Sequence, residues 1–349
     1  MKKEYMGGKA ASSKTAAAGR IGLTMKVLTG ISPLRSIVPA AWLRLAFVFA
    51  LAVILLMPVS SWAHGFAGKR FFPTTFIVDD PFISDEFSIL INHIKQPGDE
   101  PNKATEINID YSKRIIPNFG LEFHEAYLHL GSNGDGSANG WENLGLGAKW
   151  QFLTNAEHEM ILSIGTDIDI GGTGDHRVSE SFSHITPAIF FGKGLGDLPE
   201  SVNFLRPFAV TGALGTSFPT RSKNVTVNPD TGDTNIERNP TTLSWGFTIQ
   251  YSLMYLQSFV KDIGLGVPFN RMVLVAEFPM ETCMSADCKG QTTGTVNPGV
   301  VWFGKYVELG LAAQIPINSK SGKSVGILGL IHLFIDDLFP KSIGRPIFH

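Results

Sequence analysis

The chain has 349 residues, 44% hydrophobic and 17% charged, with 37 glycines, 25 phenylalanines and two cysteines. That charge content lies below the roughly 25% of an ordinary soluble domain. A formal net charge of −2 leaves no basic footprint for nucleic acid.

The N-terminus addresses the compartment. Arg35 and Arg44 precede an apolar run over residues 45–57, Pro58 ends it, and Ser61-Trp62-Ala63 follows as a small-x-small cleavage site. A basic flank, a short apolar core and a processing site read as a signal peptide over residues 1–63. The flank is long, which makes Met25 a candidate start. An uncleaved anchor is the competing reading, but the core falls short of the ~17 residues a membrane-spanning helix needs. Cleavage leaves His64 first. Its amine and ring form a possible copper chelate, and the plainer reading is the residue that follows a cleavage site. Residues 64–85 are then expected as a periplasmic N-terminal segment or plug.

From there the pattern is that of strands. Candidates fall at 86–95, 104–114, 119–130, 141–152, 159–170, 182–192, 203–216, 241–256, 270–279, 293–303, 305–317 and 324–335. Most are near the ~9–11 residues that cross a bilayer when tilted. The clearest, LSWGFTIQYSL, puts Leu243, Trp245, Phe247, Ile249, Tyr251 and Leu253 on one face. Ser244, Gly246, Thr248, Gln250 and Ser252 take the other, since successive strand side chains alternate. The first, third, sixth and twelfth candidates alternate poorly. The expected fold is all-β: a transmembrane, antiparallel, up-and-down barrel of about 12 strands over residues 86–335, with a C-terminal tail at 336–349. Counted from a periplasmic N-terminus, the odd-numbered connections are richer in Gly, Asn, Asp, Ser and Thr than the even-numbered ones. That asymmetry is the one outer-membrane barrels show between outer loops and periplasmic turns.

The faces opposite the apolar rows give lumen-lining candidates. They are Glu106, Asn108, Asp110, Ser112, Asn143, Lys149, Gln151, Ser163, Asp167, Asp169, Ser244, Thr248, Gln250, Ser252, Glu277, Glu308 and Gln314. Carboxylates outnumber the single lysine, so an open, water-filled interior would favour cations. Equally, these groups could pair within a plugged one. Asp167 and Asp169 share a face roughly 6–7 Å apart by strand rise, a gap that suits paired glycosidase carboxylates. No cleft or second strand supports that use, and the solvated reading is preferred.

Cys283 and Cys288 lie in one polar stretch of an exported chain and are expected to form a disulfide that pins a loop. As metal ligands they are half a site. The nine histidines make no metal motif. Gly322-Lys323-Ser324 ends like a phosphate loop, but Ile317 stands where its first glycine is required. No GxSxG elbow marks a hydrolase. No metal, cofactor or catalytic constellation is expected.

One stretch carries a resemblance. FFPTTFIVDDPFISDEFSI, residues 71–89, resembles the opening of bacterial outer-membrane barrels of the meta-pathway phenol-degradation, transporter-like family. Its core is the hydrophobic-x-Asp-Asp-Pro run ending at Pro81. Looser matches follow at Pro117-Asn118-Phe119-Gly120, in GLGAKWQF at 145–152 and in NPGVVWF at 297–303. The resemblance implies an outer-membrane barrel concerned with uptake of small organic compounds, and supplies no catalytic residue. In one respect the chain departs from such barrels: Phe348 is penultimate, behind a tail, where they commonly end on an aromatic that closes the last strand.

The expectation is therefore a porin-like channel in the bacterial outer membrane, with membrane lipid and a small-molecule solute as partners. The alternatives are a structural or surface-interaction protein working through loops 217–240 and 283–288, and a barrel enzyme acting on lipid.

Overall fold

The computed structural model describes residues 65–95, 103–131, 137–227 and 232–348. The expected signal peptide and His64 lie outside them. Two short strands, β1 (Phe66–Ala67) and β2 (Arg70–Phe71), pair as a hairpin ahead of the main sheet. The sheet then takes β3 (Glu86–Lys95), β4 (Lys103–Ile116), β5 (Phe119–Leu130), β6 (Ala138–Trp141), β7 (Gly145–Asn155), β8 (Met160–Asp169), β9 (His184–Gly194) and β10 (Phe208–Pro219). A separate exposed hairpin, β11 (Lys223–Val227) and β12 (Thr234–Arg238), stands in the next loop. The last strands are β13 (Thr242–Ser252), β14 (Met272–Cys283), β15 (Thr292–Phe303), β16 (Val307–Pro316) and β17 (Gly326–Phe334).

Every pairing is antiparallel, and β17 pairs with β3 in the register Ile331↔Ile89. Since β3 also pairs with β4 and β4 with β5, the sheet closes. Twelve strands make the barrel, and β6 lies against the loop-side end of β5. Closure removes the edges that would otherwise expose backbone hydrogen-bonding groups.

Each expected strand has its counterpart, with shifted ends. The candidate at 141–152 divides, because β6 stays on β5 while β7 begins again at Gly145 opposite His124. The candidate at 203–216 starts late, since residues 200–205 form a 3-10 turn ahead of Phe208. The one at 241–256 stops at Ser252, whose hydroxyl accepts from the Tyr255 amide and caps a helical turn. That at 270–279 runs on to Cys283 because β13 pairs with it to the end.

The two faces differ as a membrane requires. On β13, Trp245 and Ile249 are 36% and 37% exposed, while Thr248 and Gln250 are 1% and 2% exposed. The same outward row holds Ile91, Phe123, Ile164, Ile189, Leu274 and Leu311 on six other strands, all exposed. Outward Gly212 is covered by the Phe191 ring, which lies 2.5 Å from where a Cβ would stand. Among the described residues no helix is long and apolar enough to cross a membrane. The strands do the crossing, with apolar side chains toward lipid.

Inside, the N-terminal segment supplies a core. Phe71 packs on Phe303 at 4.5 Å between ring centres, on Phe66 at 5.2 Å and on Phe334 at 6.4 Å. With Phe76, Leu90, Val273, Val275, Val301, Leu328 and Leu330 it forms one buried cluster. This explains the poor alternation of the first and twelfth candidates. Leu90, Leu328 and Leu330 point inward yet are apolar, because they meet this segment and not water.

The tail folds back on the barrel. Lys113 Nζ donates to the carbonyls of Ile343 and Arg345, and the Phe348 amide donates to the Ile115 carbonyl at 2.8 Å. The Asp85 carboxylate, fully buried, accepts from Lys113 Nζ at 2.6 Å and from Arg114 Nε at 2.8 Å. The start and end of the barrel thus meet at one charged node.

Candidate functional site

The inward rows and residues 65–85 together define the site. The segment runs between inward side chains, and its backbone polar groups need partners wherever they leave water. Glu277 provides three: Oε1 accepts from the amides of Phe76, Ile77 and Val78 at 3.0, 2.9 and 2.9 Å. Its Oε2 accepts from Asn297 Nδ2 at 3.0 Å. Glu308 Oε2 takes the Thr74 amide at 3.1 Å, and Gln151 Oε1 the Ile83 amide at 3.3 Å. The Ser163 hydroxyl donates to the Pro81 carbonyl. Lys149, 3% exposed, reaches Asp79 at 2.8 Å and Glu122 at 3.0 Å, and donates to the Asp80 carbonyl at 3.2 Å. These contacts need the segment close to the wall, and small residues allow it. A Cβ on inward Gly246 would stand 2.6 Å from Val78 Cγ2, and one on Gly310 2.8 Å from the Phe76 ring.

At the end bearing the turns and the tail, Arg70 ties the segment down. Its Nε lies 3.1 Å from Glu159 Oε2, Nη1 donates to the Pro207 carbonyl at 2.8 Å, and Nη2 donates to the Arg206 carbonyl. The guanidinium lies 3.8 Å from the centre of the Tyr255 ring. The Tyr255 hydroxyl donates to Glu159 Oε1 at 2.9 Å, and the Gly196 amide donates to Oε2. Arg70 therefore joins three turns, contributed by β7–β8, β9–β10 and β13–β14. Burial lowers the Arg70 pKa from its usual value, with Glu159 opposing. Burial and the Glu159 carboxylate push the Tyr255 phenol up to about 12, so it stays a donor.

Around residues 77–79 the interior opens into two cavities. One, of about 420 Å³, is bordered by Glu86, Glu106, Asp110, Glu122, Asp167 and Asp79, with His124 the basic group among them. The other, of about 380 Å³, is bordered by Val78, Ala188, Phe190, Ala213, Gly246 and Met280. Ile77, Val78, Asp79 and Asp167 border both. A third, of about 500 Å³, lies at the loop end between Asp169, Glu180, His184, Asn239 and Glu281, and shares Thr186, Ser244 and Glu281 with the second.

The sequence-derived candidates separate accordingly. Glu106, Asp110 and Asp167 face the acidic cavity with Asn108 and Ser112, and Asp169 faces the loop-end one. Lys149, Gln151, Ser163, Glu277 and Glu308 hold residues 74–83. Thr248, Gln250, Ser252 and Gln314 are buried and border none of these three cavities. Asn143 sits in the β6–β7 connection, where its Oδ1 accepts from Gly172 and Gly174, because β7 starts at Gly145, four residues later than expected. Cys283 and Cys288 are bonded to each other and close the β14–β15 loop. Among the described residues, no group of histidine, cysteine and carboxylate side chains could hold a metal ion.

Four groups of the site were not among the lumen candidates. Glu122 and His124 lie on β5, whose inward positions alternate with exposed Leu121 and Phe123. Further along the strand the alternation breaks, because Glu125 and His129 stand on the outward row and Leu128 and Leu130 on the inward one. Arg70 and Glu159 carry no signal at all, standing 89 residues apart in a hairpin and a turn.

A closed, even-stranded barrel with an apolar outer band and a polar interior defines a class: the chain is an outer-membrane β-barrel. No family model matches it, and no curated protein does. Its fold is similar to several solved barrels. An outer-membrane channel from Pseudomonas putida F1 aligns over 76% of this chain and 99% of its own, at 12% identity and a TM-score of 0.46. The KdgM porin aligns over 70% and 98%, at 13% identity and a TM-score of 0.40. Outer membrane phospholipase A of Escherichia coli aligns over 77% and 95%, at 13% identity and a TM-score of 0.36.

Proposed function

We propose that this barrel is a passive channel for small solutes, narrowed by residues 72–85 and selective for cations over anions. The observation that carries this is the divided interior: Ile77 and Asp79 stand between two cavities, Ile77 41% exposed and the Asp79 side chain 47% exposed inside a closed barrel. Space within the wall remains accessible. Seven carboxylates, Asp80 among them, border the first cavity, and the one inward lysine nearby, Lys149, is already engaged by Asp79 and Glu122. A narrow, low-dielectric passage lined by one sign of charge favours counter-ions. The resemblance of residues 71–89 to the phenol-degradation family adds small organic compounds to the solutes worth testing.

The test is reconstitution of the mature chain in planar bilayers, beside a form lacking residues 72–84. Small cation-preferring conductance in the first and larger conductance in the second is expected. Silence in both, with the barrel folded, would remove the channel reading.

A further inference from the structure

At the turn end the connections are unlike one another around the rim. From β9 round to β4 they follow as residues 195–207, 253–271 and 304–306 and the tail 335–348. Phe204, Phe259, Val267 and Phe269 are exposed there, Val267 at 76%, and so are Ile343 and Phe348 of the tail. The other two turns, 117–118 and 156–159, expose no large apolar side chain. The apolar elements adjoin one another. The 3-10 turn at 200–205 contacts the helical turn at 256–260, and a cavity of about 360 Å³ borders Met254, Arg271, Lys305 and Asp337 together.

Charge follows the same arc. Lys261, Arg271, Lys305 and Lys341 are exposed between these apolar side chains. Asp262 is exposed beside them, and Glu200 is already paired with Arg206 at 2.6 Å. Phe269 and Arg271 lead directly into β14, whose Leu274 is exposed on the outer wall. The patch is thus continuous with the lipid-facing surface, and its composition is aromatic and basic. That combination sits at headgroup depth, where apolar side chains reach acyl chains and cations reach phosphates.

We propose that this arc is a membrane foot. Residues 256–271, with Phe204 and the tail, rest in the leaflet at the turn end, which faces the periplasm in barrels of this class. Lys261, Arg271, Lys305 and Lys341 bind anionic phospholipid headgroups. One side of the rim is held against the bilayer, and the side bearing turns 117–118 and 156–159 stays in water.

Full-length mature protein in vesicles of phosphatidylcholine, with and without phosphatidylglycerol, tests this. The native cysteines are bonded to each other, so an Ile263→Cys variant carries one free thiol for a bimane label. Brominated acyl chains should quench that label about as strongly as one at Leu274→Cys on the wall, and leave one at Glu157→Cys bright. Quenching at 263 no greater than at 157 would overturn the proposal. So would a label shielded from both lipid and aqueous quenchers, which means burial against a second copy or another protein. The quadruple variant K261Q/R271Q/K305Q/K341Q should lose its preference for phosphatidylglycerol about tenfold, read as lipid retained on purification. An unchanged preference would overturn the assignment of anionic headgroups.

Discussion

Glu277→Gln is the sharpest perturbation of the interior. The carboxylate is fully buried and receives three consecutive backbone amides on one oxygen. A hydrogen bond to a charged group contributes about 1.5–3 kcal/mol, and a neutral one about 0.5–1.5. Replacing the anion by an amide therefore costs about 1 kcal/mol per amide. Because one oxygen is shared among three donors, the sum is better taken as ~2 kcal/mol than ~3. At 1.4 kcal/mol per tenfold, the docked state of residues 74–80 loses about 30-fold in equilibrium constant. The shape is kept, since Asn297 Oδ1 has no partner and can accept from the new amide. Hydrogen exchange at Phe76, Ile77 and Val78 in nanodiscs reads this directly, with a rise of about 30-fold expected while β14 and β15 amides stay protected. Glu277→Ala, which also leaves the three amides without acceptor, should exceed it. If exchange at those amides is unchanged in a folded Glu277→Gln barrel, the carboxylate charge does not hold the segment.

Three further outcomes follow from the same geometry. Gly246→Val or Gly310→Val puts side-chain atoms within 3 Å of Val78 or Phe76, so either should displace residues 76–78 and enlarge the single-channel conductance; unchanged conductance with unchanged exchange would contradict the close approach. Lys149→Gln removes the cation shared by Asp79 and Glu122, and the reversal potential in a salt gradient should shift toward stronger cation preference, whereas a shift toward anions would oppose the electrostatic reading. Glu159→Gln leaves the guanidinium of Arg70, 1% exposed, without its counter-charge. Breaking such a buried pair costs about 3–5 kcal/mol. Residues 65–72 should become sensitive to limited proteolysis while the barrel keeps its heat-modifiable migration, and continued resistance would refute the anchoring role.

The strands were legible because their code is local. Alternation on β13 or β16 follows from the two-residue period, and the chemistry of each face can be read without knowing the neighbour strand. The acidic character of Glu106, Asp110 and Asp167 was available in the same way. What those side chains do was not. Lys149, Glu277 and Glu308 looked like solvated lumen groups, and each turns out to bind a segment more than 65 residues away in sequence. Leu90, Leu328 and Leu330 broke the alternation, and only their packing against Phe71 and Phe76 gives the reason.

The sequence by itself determined the barrel, its approximate strand number and the polarity of its two faces, because each is set by side chains one or two residues apart. Tertiary structure alone decided the closure of β17 on β3, the anchoring of residues 70–85 and the division of the interior into an acidic cavity and a more apolar one. Those depend on which distant backbone amides reach which buried carboxylates, a pairing that no local period encodes.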